Sequence, residues 1–215
     1  TKQQVIPIYI IDPRIAESDR YSHSRMAFLI QALHAINKRL NPLNSGLLVR
    51  HGIPSQILPE IIEETGASAL YFNADYTSFA MKRDNAIQDS LSITVRVFDD
   101  ALLVPPGHVL KDDGDPYVVF TPFKKQWNKK TKPAISTVKL SSGQFRDISP
   151  YKNDCIPSHE QLSIKTNIPL PNTNEAYAQE RLKTFIKSEI DTYATARNYL
   201  PIDPFNDNRP SGPSY

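Results

Sequence analysis

Near its start the chain carries an unbroken apolar run, Val5-Ile6-Pro7-Ile8-Tyr9-Ile10-Ile11, closed by Asp12-Pro13. Such a run predicts a strand covered on both faces, as in a parallel sheet. Behind Ser22 or Ser24 as N-cap, Met26, Leu29, Ile30, Leu33, Ile36 and Leu40 recur at helical spacing until Asn41-Pro42, which predicts a helix with one apolar stripe. Gly46 to Arg50 is the next short apolar run, and Pro54 opens a second helical pattern through Ile57, Leu58, Ile61 and Ile62. Proline is tolerated in a first turn and Gly66 suits the end of that helix. A strand over Ala67 to Phe72, a helix from Asp75 or Thr77 through Leu91 and a strand over Ser92 to Phe98 continue the alternation.

Alternating strands and helices predict an α/β fold: a Rossmann-like, doubly wound parallel sheet with helices on both faces. Ligands of such sheets bind beyond the C-terminal ends of the strands. Here that edge carries Asp12, Arg50 to Gly52, Asn73 to Tyr76 and Asp99.

The pattern changes after residue 100. Pro105-Pro106-Gly107 and Asp112-Asp113-Gly114-Asp115 are turn chemistry, and Thr121-Pro122 starts a short helix carrying Phe123 and Trp127. Residues 131–172, rich in Pro, Ser, Thr and Lys, lack periodicity and read as a long connector over the surface. From Asn174 a long amphipathic helix is predicted to about Leu200, with Leu182, Phe185, Ile186, Ile190 and Tyr193 on one face. The chain thus divides into an α/β part over 1–130, a connector over 131–172 and the start of an all-α part over 173–215. Thr1 leads at once into a buried-strand pattern, and the closing residues lack a core of their own, which reads as a piece of a longer polypeptide.

Charge adds little, because a net +2 leaves no broad electrostatic footprint for nucleic acid. The single Cys155 cannot form an internal disulfide, the five histidines lie far apart with no zinc spacing, and the apolar runs are too short for a membrane span. These features point to a cytoplasmic protein without metal or membrane. Seven scattered glycines supply neither a dinucleotide fingerprint nor a phosphate loop. Cys155 lacks a catalytic setting and is expected to be a packing residue. The carboxylate pairs Asp99-Asp100 and Asp112-Asp113 read as solvated caps. Lys124, Lys125, Lys129, Lys130 and Lys132 around Trp127 suit either a basic, aromatic nucleic-acid face or, preferably, a solvated helix face with its rings turned inward. Asn73, Asp75 and Tyr76 are the best ligand candidates, with a plain turn and helix cap as the other reading of Asp75.

Several blocks, in order, resemble the photolyase and cryptochrome family. They are Val5 to Pro13; Arg25-Met26-Ala27-Phe28-Leu29; Ser45 to Gly52; Asn73-Ala74-Asp75-Tyr76 with Lys82-Arg83-Asp84; Leu103 to Gly107; and Tyr117-Val118-Val119-Phe120-Thr121-Pro122-Phe123 with Trp127. The resemblance implies the family's α/β antenna domain, lacking a first strand that usually precedes such a sequence, followed by the entry to a helical FAD-binding domain. It further implies a parent that repairs cyclobutane pyrimidine dimers in UV-damaged DNA by electron transfer from reduced FAD or, alternatively, a cryptochrome-type blue-light photoreceptor without repair. By the same match Tyr193 and Ser214 contact FAD and Arg197 approaches the DNA backbone, although Pro213 and Tyr215 depart from the flavin-loop pattern. Tyr193 is equally readable as a core residue of the apolar stripe. Phe79-Ala80 stands where folate-using members carry an Asn-Glu pair, so the antenna is expected to be a deazaflavin or flavin, with Asp75 as its contact.

Overall fold

The computed structural model describes residues 4–16, 18, 21–100, 102–132, 138–166 and 169–197. Strand β1 (Ile8–Ile11), the short helix α1 (Pro13–Ala16), α2 (His23–Leu40), β2 (Leu48–His51), α3 (Pro54–Thr65), β3 (Ala69–Asn73), α4 (Ser78–Ser90) and β4 (Thr94–Phe98) alternate as predicted. Then come α5 (Phe120–Lys129), α6 (Glu175–Thr184) and α7 (Tyr193–Ala196). The class is α/β. β1 pairs with β2 and β3 with β4, the second pair parallel with Ala69 opposite Thr94 and Asn73 opposite Phe98. The compact units are Thr1–Arg50 with Ser141–Tyr215, and His51–Leu140.

The helix ends follow local chemistry. Ser22, not Ser24, caps α2, its hydroxyl accepting the Arg25 amide. Ser24 bonds the Thr166 hydroxyl instead, at 2.9 Å. Thr77 caps α4 by accepting the Ala80 amide, and Gly66 ends α3 in the left-handed region at φ 67°.

In the first unit, Leu33, Leu40, Leu47 and Val49 are buried together, with Tyr9, Ile11, Leu29, Phe145 and Ile156 packed against them. Each such aliphatic side chain contributes about 1.5–3 kcal/mol on burial. Phe145 and Ile156 come from the segment expected to run over the surface, so that expectation is corrected. The segment is built in: the Val5 amide donates to Gln144 O, the Arg146 amide to Val5 O, and Asn153 accepts the Val49 amide at 3.0 Å while donating to Leu47 O. Aperiodic sequence hides such packing because its anchors are single residues. Cys155, expected to pack, is exposed and holds a positive φ of 64°.

In the second unit α3 packs on α4, burying Leu58, Ile61, Ala80 and Ile87.

The helix predicted from Asn174 to Leu200 is also corrected, since it is interrupted. After α6 the backbone widens over Phe185–Glu189, where the Ile190 amide reaches back five residues to Phe185 O at 2.9 Å, and turns before α7. The apolar stripe has the same spacing on either side, so its periodicity could not reveal one widened turn.

Candidate functional site

The expected ligand edge is most complete where β3 and β4 end. Parallel pairing sets Asn73 beside Phe98, and the Ala74 amide donates to Phe98 O at 2.9 Å. This close pairing brings the two following loops together, so the Tyr76 hydroxyl donates to Asp99 Oδ1 at 2.8 Å. The Tyr76 phenol is held above its ordinary range, first by partial burial and then by the hydrogen bond to Asp99. Asp75 is exposed, and its Oδ1 accepts the Thr77 amide at 3.0 Å, closing the turn that leads into the α4 cap. The turn reading of Asp75 is therefore observed, while its second oxygen carries no hydrogen bond among the described residues.

Strand alternation in this register puts Tyr71, Asn73, Arg96 and Phe98 on one face, all of them exposed. The Tyr71 and Phe98 rings stack there at 6.2 Å and 15°. Sequence reasoning missed this pair, because only the register places residue 71 diagonally from residue 98.

The other edge residues divide between the two units. Asp12 is buried at the end of β1 and held by Arg14, whose Nε and Nη2 reach its two oxygens at 2.9 and 2.5 Å. That hydrogen bond, foremost, raises the Arg14 guanidinium above its ordinary range. Asp12 thus anchors the start of α1, its Oδ1 also accepting the Arg14 amide. Arg50 is buried within β2 in the first unit, whereas Gly52 belongs to the second.

At the far end of the chain, Tyr193 opens α7 half-buried, with Phe185 edge-on at 5.5 Å and the Arg197 guanidinium over its ring at 5.8 Å. The structure thus joins two of the proposed flavin and DNA residues, while Ser214 lies outside the described residues. On α5, Phe123 and Trp127 are half-buried, and Lys132 Nζ sits 4.0 Å above the Trp127 ring while donating to its backbone carbonyl. This matches the inward-turned reading of that cluster. Among the described residues no group of three His, Cys, Asp or Glu side chains could hold a metal, and no helix is long and apolar enough to cross a membrane.

The chain is similar to known proteins in both sequence and fold. The family model for DNA photolyase matches residues 1–140. A deoxyribodipyrimidine photo-lyase of Synechococcus sp. is 30% identical over 205 residues, covering 91% of this chain and 42% of that protein. Among solved structures, a Synechocystis cryptochrome superposes with a TM-score of 0.74 at 20% identity, over 91% of this chain and 43% of that one. A photolyase of Sulfolobus tokodaii, described with two FAD molecules and a novel light-harvesting cofactor, gives 0.66 at 24% identity, over 86% and 40%. The chain spans 42% and 38% of the length of two photo-lyases that it matches at 30% identity.

Proposed function

The chain belongs to the DNA photolyase family, and from that premise we propose that it is the light-collecting α/β part of a deoxyribodipyrimidine photolyase, joined to the first piece of its flavin domain. The observation that carries the reading is 30% identity to a deoxyribodipyrimidine photo-lyase over 205 residues, which run through the connector into the C-terminal helices. In this reading residues 1–130 form the antenna domain, 131–172 the connector and 173–215 the entry to the helical domain. The cryptochrome alternative predicts the same fold without dimer repair.

FAD, when bound, supplies the electron that splits the lesion; this chain's residues position and bind. Tyr193 fits a flavin phosphate, because its ring is fixed by Phe185 and its hydroxyl carries no hydrogen bond among the described residues. Arg197 adds guanidinium donors beside it, suited to a phosphate of the flavin or of damaged DNA. Ser214 completes the proposed flavin contacts.

Asp75 is the proposed antenna contact. Its unengaged oxygen stands at the ends of parallel strands, where a ring N–H of a flavin or deazaflavin can donate to it. The light-harvesting cofactor described for the Sulfolobus protein supports a flavin-type antenna here.

Two measurements test the proposal. A polypeptide carrying this chain with its helical flavin domain should split thymine dimers in an oligonucleotide under blue light, read by chromatography; flavin binding without repair favours the cryptochrome alternative. The 215-residue chain by itself should quench added flavin mononucleotide fluorescence, less so as Asp75→Ala, yet retain no stoichiometric FAD after gel filtration.

A further inference from the structure

We propose that a polar groove in the first unit, between the end of α2 and residues 147–153, is a binding site for a neutral cyclic sugar. The groove has a volume of about 730 Å³ and is lined by Asn37, Asn41, Asn44 and Asn153 together with Asp147 and Tyr151. That volume accommodates a monosaccharide or disaccharide.

The walls are held by bonds that leave ligand-binding capacity over. Asn37 Oδ1 accepts the Leu47 amide at 2.9 Å, and Asn153 is tied to Val49 and Leu47. Ser45 Oγ donates to Arg146 O at 2.7 Å, joining the two sides. Gly46 sits between them, where a Cβ would stand 2.8 Å from Ile148 Cδ1 and 3.2 Å from Asn37 Oδ1, so a larger residue would push the Ile148 side chain aside. Asn44 turns the chain at φ 54°, a left-handed conformation that asparagine adopts more readily than most residues.

The unengaged groups define the ligand. The Asn41 and Asn44 side-chain amides and the Tyr151 hydroxyl carry no hydrogen bond among the described residues, and all three residues line the groove. A side-chain amide presents a donor and an acceptor side by side, matching two adjacent ring hydroxyls, each itself donor and acceptor. The Tyr151 ring, with the Arg146 guanidinium 5.6 Å from its centre, offers an aromatic surface for the C–H face of a pyranose. Among the described residues that line the groove, Asp147 is the one ionised side chain. Its carboxyl is held below the ordinary range by the Ser149 amide and hydroxyl, so it remains an anion and disfavours phosphates. Amides, hydroxyls and one carboxylate around an aromatic ring therefore select a neutral polyol over an anionic ligand, and a fixed ring fits the pinned walls better than an open chain.

The test is an NMR titration of the isotope-labelled 215-residue chain with methyl β-D-glucopyranoside, sorbitol and adenosine 5′-monophosphate in parallel. The glycoside should shift the amides of residues 41–46 and 147–153 saturably and bind about tenfold more tightly than sorbitol. Asn41→Ala and Asn44→Gly, which leave the backbone clamps of Asn37 and Asn153 intact, should each weaken it about fivefold, one hydrogen bond's worth. No saturable shift with the glycoside, equal affinity for sorbitol, tighter binding of the monophosphate, or unchanged affinity in both folded variants would overturn the assignment.

Discussion

At the residue scale, the Tyr76 hydroxyl bonded to Asp99 is the clearest titratable feature of the strand-end site. The folded pKa of this phenol lies above its unfolded value, so its contribution to stability is complete below the ordinary phenol range and disappears as pH rises through the folded value. Alkaline difference spectra should therefore contain a late-titrating phenol that Tyr76→Phe removes; an unchanged late phase would show that the assignment to Tyr76 is wrong. Two glycines separate backbone strain from crowding. Gly66 lies at φ 67° with open space around it, whereas Gly52 lies at φ 144° and a Cβ would meet Ile57 side-chain carbons at 2.7 and 2.8 Å. Gly66→Ala should cost about 1 kcal/mol and Gly52→Ala about 2–4 kcal/mol in urea unfolding. Equal losses would mean that the Ile57 side chain yields freely.

At the element scale, Thr77 both closes the Asp75 turn and caps α4, so the ligand candidate and the helix start share one local device. Thr77→Ala should destabilise the protein by about 1 kcal/mol while Thr77→Ser retains most of the stability, as measured by thermal melts. The same turn is legible in the sequence, since Asp and Thr two residues apart ahead of a helical pattern are both turn and cap signals. The α2 start is legible for the same reason, with the choice between Ser22 and Ser24 settled only when Thr166 engages the second hydroxyl. The widened turn at Phe185–Glu189 was not legible, because an i to i+5 bond changes no residue type.

Across the molecule, residues distant in sequence carry the first unit. Asn153 crosses more than 100 positions to satisfy the amide of Val49, which is 1% exposed. Asn153→Ala should cost about 1–3 kcal/mol by stranding that buried donor, and hydrogen exchange at the Val49 amide should accelerate with it. Unaltered exchange would mean that Val49 finds another acceptor. The sequence by itself determined the α/β alternation, the candidate helix caps and the family, because periodicity, turn chemistry and short ordered motifs are all local. Only the tertiary structure decided that the aperiodic connector completes a core, that Tyr71 stacks on Phe98, and that Phe185 meets Tyr193 across a broken helix. Those contacts depend on register, on single anchoring residues and on backbone hydrogen bonds, none of which leaves a repeating mark along the chain.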